Sequence, residues 1–262
     1  MSITVASWNI NSVRLRIDNL KECLKKYKFD VICLQETKTA DEFFPLKPIK
    51  EAGYENVYFC GQKSYNGVAI ISKIPFIEEF GFNMLNRDDK RHIGVKLKNN
   101  LTIHNFYIPA GGDIPDRNSN EKFAHKLDFV DEINKIFPNE QTQSIILGDF
   151  NIAPYENDVW SHKQLANVVS HTEIEIEKLM NMKKSANWID SHREFVDLEK
   201  KLYSWWSYRA RDWLKSDRGR RLDHIWLSPD LKNKLISADI HKETRGIKSP
   251  SDHAIISTKL DI

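Results

Sequence analysis

The stretch that most constrains the fold of this 262-residue chain is residues 145–151, Ile-Ile-Leu-Gly-Asp-Phe-Asn. Its apolar run is typical of a β-strand covered on both faces, and Gly148 indicates where that strand ends. Asp149 and Asn151 should then emerge at the carboxyl end of the strand, which is the edge where open α/β sheets bind their ligands. On an extended backbone they would project to one side and could hold a water molecule or a phosphoryl oxygen. An ordinary Asx turn after a strand is the alternative.

Length and composition favour one large α/β domain over residues 1–262, because no segment resembles a linker. Hydrophobic residues make up 40% and charged residues 29% of the chain, which excludes a disordered chain and a membrane protein. The N-terminus enters a strand without a signal peptide, so we expect a cytoplasmic protein with no membrane partner. We interpret Cys23, Cys33 and Cys60 as core thiols, because they form no C-x-x-C pair. The formal net charge of +2 does not by itself indicate a polyanionic partner.

The order of the elements predicts a mixed α/β architecture. Residues 3–10 and 31–34 have strand patterns, and Leu15, Leu20 and Leu24 have the spacing of a helix that runs to Lys26. Further strands are predicted around residues 54–59, 67–72, 91–97, 101–107, 203–208, 222–228, near 240 and at 253–260, and helices at 122–137, 162–167 and 173–182. The short strands before residue 107 suggest an antiparallel meander. We therefore predict two mixed β-sheets packed face to face with helices outside.

Several predicted strand ends and loops carry polar side chains that strand packing does not require. They are Asn9, Asn11, Glu36, Tyr107, Asp149, Asn151, Asp223, Asp252 and His253. Each of them alone is more often a turn former or a surface residue. Because sheet edges bring such residues together, the whole set predicts a functional site.

The residue types in this set suit three chemical roles. Glu36, helped by Asn11, offers hard oxygen ligands of the kind that Mg²⁺ prefers. Asp149, backed by Asn151, can accept a proton from an attacking water molecule or hold that water in line.

The third role is donation to a phosphate oxygen, which suits His253. A carboxylate must fix the tautomer of this histidine, and Asp223 and Asp252 are both candidates for that partner.

Five motifs together resemble, in order, those of the exonuclease III family of abasic-site endonucleases. They are residues 7–11 (Ser-Trp-Asn-Ile-Asn), 34–38 (Leu-Gln-Glu-Thr-Lys), 148–151 (Gly-Asp-Phe-Asn), 221–223 (Arg-Leu-Asp) and 251–253 (Ser-Asp-His). The resemblance runs from about Ile3 to about Leu260. Gly-Asp-Phe-Asn also occurs in the wider superfamily of deoxyribonuclease I-like nucleases and phosphatases, whereas the Trp-Trp-Tyr and Arg-Leu-Asp segments narrow the match to abasic-site enzymes.

This resemblance implies a four-layered α/β sandwich. It implies cleavage of the phosphodiester on the 5′ side of an abasic site, leaving a 3′-hydroxyl, with Mg²⁺ as the cofactor and Mn²⁺ as an alternative. A 3′-to-5′ exonuclease and a 3′-phosphatase often accompany that activity. The implied partner is duplex DNA with abasic sites or blocked 3′ ends, and nothing in the chain demands more than a monomer.

The resemblance also implies roles for individual residues. Glu36 would be the main metal ligand with Asn11 beside it, and Asp149 would activate water. Asn9 and Asn151 would orient that water. The other implied roles are phosphate contact by Tyr107, phosphate stabilisation by His253 held by Asp223, and metal binding or leaving-group support by Asp252; Asp149, Asn151 and His253 are further candidates for the metal.

Two positions depart from the family pattern. Ala110 lies where relatives have an amide side chain, so one substrate contact is in doubt. Arg220 lies where the pocket for the abasic sugar is expected to have an apolar or aromatic wall. We therefore expect a more polar pocket in this chain.

The segment from Tyr203 to His224 interleaves aromatic and basic side chains, which is typical of nucleic-acid binding. The candidate substrate-binding residues are Asn9, Arg14, Trp205, Arg209, Arg211 and Leu222. The alternative is a core strand whose tryptophan pair packs inward beside a solvated basic loop. We expect Trp206 in the core and Trp205 in the pocket, and Arg14 and Arg16 either on the basic rim or on the solvated face of the first helix.

Two other functions compete with a DNA-repair nuclease. One is a phosphatase of the same superfamily that acts on inositol phosphates or lipids. The other is a catalytically inactive module that binds nucleic acid. Such a module would have no use for Glu36, Asp149 and His253 together, which favours an enzyme.

Overall fold

The computed structural model describes residues 2–262. The strands are β1 (Ser2–Asn9), β2 (Val31–Gln35), β3 (Asn56–Cys60), β4 (Val68–Ser72), β5 (Phe76–Phe80), β6 (His92–Leu97), β7 (Thr102–Tyr107), β8 (Ser144–Asp149), β9 (Ile189–Asp190), β10 (Trp205–Trp206), β11 (Gly219–Arg220), β12 (Asp223–Leu227), β13 (Leu235–His241) and β14 (Ile255–Asp261). The α-helices are α1 (Ile17–Tyr27), α2 (Leu46–Glu51), α3 (Glu121–Ile136), α4 (His162–Leu165), α5 (Glu173–Ser185) and α6 (Trp213–Ser216). Short 3₁₀ helices lie at Asp41–Phe43, Met84–Asn86, Glu156–Asp158, Pro229–Lys234 and Lys242–Gly246.

The long strands form two six-stranded mixed sheets. The first has the order β13-β14-β1-β2-β4-β3 and the second the order β5-β6-β7-β8-β12-β9. Each sheet has one parallel pair in its interior, β1 with β2 and β7 with β8, and the other pairs are antiparallel. Strands buried on both faces require apolar residues on both, which explains the continuous runs in β2 and β8.

The main hydrophobic core lies between the two sheets. Val5 and Val31 of the first sheet and Ile103 and Ile145 of the second belong to this one buried cluster. Alternate residues of the same strands point outward and are covered by helices, α1 and α2 on the first sheet and α3 and α5 on the second. The predicted four-layered α/β sandwich is therefore confirmed. Within residues 2–262, no helix combines the length and the apolar character needed to cross a bilayer.

Four details of the predicted elements were wrong. The predicted meander is divided, because β3 and β4 belong to the first sheet and β5, β6 and β7 to the second. β5 was not predicted, because it is an edge strand whose mostly exposed side chains include Glu78 and Glu79. The strand predicted at residues 203–208 is reduced to Trp205–Trp206, where the chain also bonds to the segment before β14. Leu15 precedes α1 and is 66% exposed, so it is not part of the apolar face of that helix.

A buried ion cluster anchors the start of β12. The guanidinium of Arg221 is 1% exposed and donates to both Asp158, at 3.0 Å, and Asp190, at 2.8 Å. Burial opposes ionisation of Asp190, but its contacts with Arg221 outweigh that effect and hold the pKa of this carboxyl well below its usual range. Arg221 therefore stabilises the fold and cannot contribute to a basic surface.

We expect Arg221→Met to lower the free energy of unfolding by about 3–5 kcal/mol, because it leaves two buried carboxylates without their shared cation. Asp190 has a depressed pKa in the folded protein, so its contribution is present above its unfolded pKa of about 3.9 and is lost at lower pH. The cost of the substitution should therefore be smaller at pH 4 than at pH 7. Urea unfolding at both pH values measures the free energy of unfolding, with the exposed Arg211→Met as control. Equal losses of this free energy in the two variants would contradict the structural role of Arg221.

Candidate active site

Strand ends from both sheets meet at one edge of the sandwich. β1 ends at Asn9, β7 ends at Tyr107, β8 ends at Asp149, and the antiparallel β12 begins at Asp223. Asn9 belongs to the first sheet and Asp149 to the second, yet Asn9 Nδ2 donates to Asp149 Oδ2 over 2.8 Å. The polar residues thus cluster across the junction between the two sheets.

Glu36, which directly follows β2, is held by three neighbours. Its Oε1 accepts hydrogen bonds from Asn9 Nδ2 and from the Tyr107 hydroxyl, both at 2.8 Å, and its Oε2 lies 2.7 Å from Lys38 Nζ. Burial opposes ionisation, but the charge of Lys38 and the hydrogen bond from Asn9 outweigh it and hold the pKa of Glu36 below its usual range. The carboxylate is therefore charged and fixed in orientation.

Three residues of this edge have a left-handed backbone conformation, with φ of 49° at Asn11, 52° at Glu36 and 54° at Asn151. The expected extended path from Asp149 to Asn151 is therefore wrong. The chain turns after Asp149, and Asn151 N donates to Asp149 Oδ1 at 2.9 Å in an Asx turn. The turn still brings Asn151 Nδ2 to 3.1 Å from Asp149 Oδ2, so both side chains reach the same place. Such conformations cost free energy and are common at functional sites.

Asp149 is 1% exposed and is surrounded by donors. Burial of the carboxyl raises its pKa to about 7, although the charge of His253 favours the ionised form. Its Oδ2 lies 3.8 Å from His253 Nε2, which is too long for a hydrogen bond but leaves one oxygen atom within reach of both groups. A carboxyl of this pKa can accept a proton near neutral pH.

His253 pairs with Asp223 and not with Asp252. Its Nδ1 lies 2.8 Å from Asp223 Oδ2, which also accepts from the hydroxyl of Ser204 at 2.6 Å. Burial opposes a positive charge on His253, but the carboxylates of Asp223 and Asp149 outweigh it and raise the pKa to about 10. His253 is therefore an imidazolium at neutral pH, with Nε2–H directed toward Asp149.

Oxygen atoms of Glu36 and Asn11 converge on one cation. Glu36 Oε2 and Asn11 Oδ1 each lie 2.7 Å from the ammonium nitrogen of Lys38. Asp252 lies behind this group, where its Oδ1 accepts from Asn11 Nδ2 at 3.1 Å. Two hard oxygen donors directed at one positive charge fit the requirements of a divalent metal ion.

A second candidate metal centre consists of Asp149, Asp223 and His253, whose ligand atoms lie within 4.8 Å of one another. A histidine must be neutral to bind a metal, and the carboxylates of Asp223 and Asp149 favour the protonated ring of His253 in the free protein. The oxygens of Glu36 and Asn11 are likewise in contact with the Lys38 ammonium in the free protein. Both sets therefore offer candidate ligands, and Glu36 with Asn11 supplies only oxygen atoms, which hard metal ions prefer.

A cleft of about 780 Å³ lies in front of these groups and is lined by Glu36, Asp149 and His253. One side of it is apolar, because Leu222 and the partly exposed Trp205 pack in a cluster there. Trp205 Nε1 donates to Asp252 Oδ2 at 2.9 Å, which fixes the ring. Trp206 is 2% exposed. As expected, Trp206 therefore lies in the core, whereas Trp205 lies in the wall of the cleft.

The basic residues that were expected around the site do not all lie on the surface. Arg209 is exposed and lines the cleft, Arg211 is exposed two residues later, and Arg14 is exposed with its guanidinium over the ring of Phe43. The expectation for Arg16 was wrong, because this residue is 7% exposed and bonds to Asn11, Ser249 and Tyr208.

The two departures from the family pattern both line the cleft. Ala110 is exposed there and offers no side-chain polar group. The guanidinium of Arg220 lies 5.5 Å from the centre of the Trp205 ring, and its Nη1 donates to Val169 O at 3.0 Å and to Ser170 Oγ at 2.6 Å. Arg220 therefore forms part of the wall beside the apolar side, as expected of a more polar pocket.

Sequence reasoning missed three residues that position this site. Lys38 ends the Leu-Gln-Glu-Thr-Lys motif, but nothing in that motif indicated its contacts with Glu36 and Asn11. Ser204 orients Asp223, and the buried Lys126 donates to Asn151 O at 2.7 Å and pairs with Glu175. The lysine of a helix and the serine before a strand carry no pattern that distinguishes them from surface residues.

Known proteins resemble this chain over nearly its whole length. A model of the endonuclease/exonuclease/phosphatase family matches residues 6–253. The exodeoxyribonuclease III of Haemophilus influenzae is 32% identical over 267 residues, which cover 95% of this chain and 97% of that protein.

Solved structures resemble the fold over its whole length. An AP endonuclease from Archaeoglobus fulgidus superposes with a TM-score of 0.91 at 28% identity, covering 99% of this chain and all of the other. A 3′ phosphatase from Neisseria, bound to a product DNA hairpin, superposes with a TM-score of 0.89 at 26% identity and the same coverage.

Proposed function

Since this chain belongs to the endonuclease/exonuclease/phosphatase family, we propose that it is a DNA-repair nuclease that hydrolyses the phosphodiester bond 5′ to an abasic site in duplex DNA. The reaction leaves a 3′-hydroxyl. The same centre removes 3′-terminal nucleotides and 3′-phosphates, because these reactions also break a phosphate ester at the 3′ oxygen. Its relatives include an exodeoxyribonuclease III, an AP endonuclease and a 3′ phosphatase.

The observation that carries the proposal is the position of a hydrolytic pair beside an apolar pocket. Asp149 and His253 line the same cleft as Trp205 and Leu222. A phosphodiester between the first two residues would direct the neighbouring sugar toward the other two. An abasic nucleotide enters such a pocket most easily, because it has no base to unstack from the duplex.

Asp149 serves as the base that accepts a proton from the attacking water. The hydrogen bonds from Asn9 and Asn151 fix the carboxylate, and burial gives it a pKa of about 7, close to the value that suits a general base at neutral pH. The two amides also orient the water.

His253 donates a hydrogen bond from Nε2 to a non-bridging phosphate oxygen, where negative charge develops in the transition state. Asp223 holds the imidazolium and its orientation. The hydroxyl of Tyr107 contacts the phosphate. It also remains close to Glu36, to which it donates in the free protein.

Glu36 and Asn11 would hold Mg²⁺, with Mn²⁺ as an alternative, and the Lys38 ammonium that now contacts both of their oxygens would have to move aside. Bound Mg²⁺ would neutralise charge on the phosphate. Asp252 lies next to this centre, and its hydrogen bond from Asn11 would orient that ligand. Asp149, Asn151 and His253 are the remaining candidates for metal contact.

Arg14, Arg209 and Arg211 bind the DNA backbone. All three are exposed, and Arg209 lines the cleft. Phosphate contacts of this kind act on any duplex and position it over the site, whereas the pocket selects the lesion. The site requires no second copy of the chain, because Glu36, Asp149 and His253 all come from one chain, and we infer that a monomer suffices for activity.

Three substrates test the proposal side by side. An end-labelled duplex with a single abasic site is incubated with Mg²⁺, without it, and with a chelator, and incision is read on a gel. A duplex that carries a 3′-phosphate and a panel of phosphoinositides are assayed in parallel for release of phosphate. We expect one incision 5′ to the lesion in Mg²⁺ alone. Release of phosphate from phosphoinositides without incision would favour the phosphatase, and binding without turnover would favour an inactive binding module.

We expect Glu36→Gln to raise the Mg²⁺ concentration for half-maximal incision by about tenfold or more, because it removes the charged ligand. Titration of Mg²⁺ at saturating duplex measures this. The exposed Glu42→Gln is the matched control and should leave the titration unchanged. An unchanged midpoint in Glu36→Gln would assign the metal to another set of ligands.

A further inference from the structure

Arg220 is an unusual constituent of the apolar side of the cleft. Leu165, Val168, Leu222 and Trp205 in this part of the wall belong to one hydrophobic cluster. Arg220 lies beside them with its guanidinium over the Trp205 ring. A charged group next to apolar side chains loses solvation, so it needs partners for its N–H groups.

The partners of Arg220 within the protein are incomplete. Nη1 donates to Val169 O and Ser170 Oγ, which fixes the plane of the guanidinium. Neither Nε nor Nη2 has a hydrogen-bond partner among residues 2–262, and neither is a sealed buried atom. These N–H groups are therefore accessible on a residue that lines the cleft, and the two bonds of Nη1 fix the plane in which they lie.

Phosphates have other partners at this site. Arg209, Arg211 and Arg218 are exposed around the cleft, where a hydrated phosphate can reach them. Arg220 lies against the tryptophan face beside Leu222, which suits the less polar sugar. The ligand for its free donors is therefore an oxygen atom on the sugar that enters the pocket.

Resting on the proposed function, we propose that Arg220 recognises the oxygen at C1′ of the abasic sugar and thereby makes the enzyme selective for lesions that carry this oxygen. An intact nucleotide has its base at C1′, whereas a natural abasic site has the hydroxyl of a cyclic hemiacetal or, when the ring opens, an aldehyde. A tetrahydrofuran analogue keeps the ring oxygen but has hydrogen at C1′, so it offers Arg220 no acceptor at that carbon. A polar group without its partner disfavours the analogue that lacks the oxygen.

The measurement is the ratio of kcat/KM for two duplexes of the same sequence, one with a natural abasic site and one with tetrahydrofuran. We expect a ratio of about 10 in the unaltered protein, the effect of one charge-assisted hydrogen bond. Arg220→Leu should bring the ratio close to 1. Arg220→Lys, which keeps the charge but not the planar fork, should give an intermediate ratio.

The matched control is Arg211→Leu on the exposed loop. It should lower kcat/KM for both duplexes by one common factor and leave the ratio unchanged, because it weakens contact with the backbone. Ser170→Ala removes one anchor of the guanidinium and serves as a second test if Arg220→Leu does not fold. We expect it to reduce the ratio as well.

A ratio near 1 in the unaltered protein, or a common loss for both duplexes in Arg220→Leu, would overturn the proposal; the second result would identify Arg220 as a phosphate contact or a support for Trp205. Failure of the proposed function has a different signature. In that case neither abasic duplex is cut, while the 3′-phosphate duplex run in parallel shows whether the hydrolytic centre is active.

Discussion

Asp149→Asn should lower the turnover number on an abasic duplex by at least about 10²-fold at saturating Mg²⁺, the usual contribution of a positioned general base. The amide is uncharged and cannot accept the proton of the attacking water. Its carbonyl oxygen can keep the hydrogen bond from the backbone N–H of Asn151, so its NH₂ group would take the place of Oδ2, which now accepts from Asn9 Nδ2 and Asn151 Nδ2. Those two donors would then lose their acceptor, and the water would lose part of its orientation.

Single-turnover kinetics separate the loss of chemistry from a loss of binding. The dissociation constant for the duplex should change little, and the unfolding temperature should confirm that the variant folds. Asp113→Asn removes an exposed carboxylate at the edge of the same cleft and should change turnover by a few-fold at most. Near-normal turnover in Asp149→Asn would show that another group activates the water.

His253→Ala should lower the turnover number by about 10²-fold or more with a smaller change in KM, because the imidazolium acts on charge that develops in the transition state. Asp223→Ala should damage the same step, since it removes the carboxylate that keeps His253 charged and oriented. The double variant should therefore lose less than the product of the two single losses.

A double-mutant cycle on kcat measures this coupling. Losses that multiply fully would mean that Asp223 and His253 act independently. Asp252 offers a useful comparison, because it bonds to Trp205 and Asn11 and not to the histidine ring. The loss of kcat in the double variant of His253→Ala and Asp252→Ala should be closer to the product of the two single losses. The double variant of His253→Ala and Asp223→Ala should fall further below that product.

The layers of the fold were predictable because burial on both faces leaves a strong local signal. The apolar runs at Val31 and Ile145 indicate strands that are covered on both faces. The glycine or polar residue after each run indicates where the strand ends. The edge strand at Phe76–Phe80 and the two-residue strand at Trp205 carry no such signal, because their pairing depends on partners elsewhere in the chain. Local patterns therefore predict the centre of each sheet better than its edges.

The site was predictable as a set of polar strand ends but not in its detailed contacts. No local pattern distinguishes the exposed Arg211 from the buried Arg221, since the burial of Arg221 depends on Asp158 and Asp190, far away in sequence. Likewise, Lys38 resembles a surface lysine until Glu36 and Asn11 are brought together. Such residues are identified only when the distant segments have been assembled.

One amide nitrogen, Nδ2 of Asn9, donates to two carboxylates, that of Glu36 just after a strand of the first sheet and that of Asp149 at the end of a strand of the second. The reactive arrangement is therefore a property of the docked pair of sheets, and neither layer contains a complete centre. A chain whose two layers have come apart lacks this link, so the carboxylates of Glu36 and Asp149 no longer face one another across Asn9. Catalytic competence should therefore appear only when the two sheets have docked.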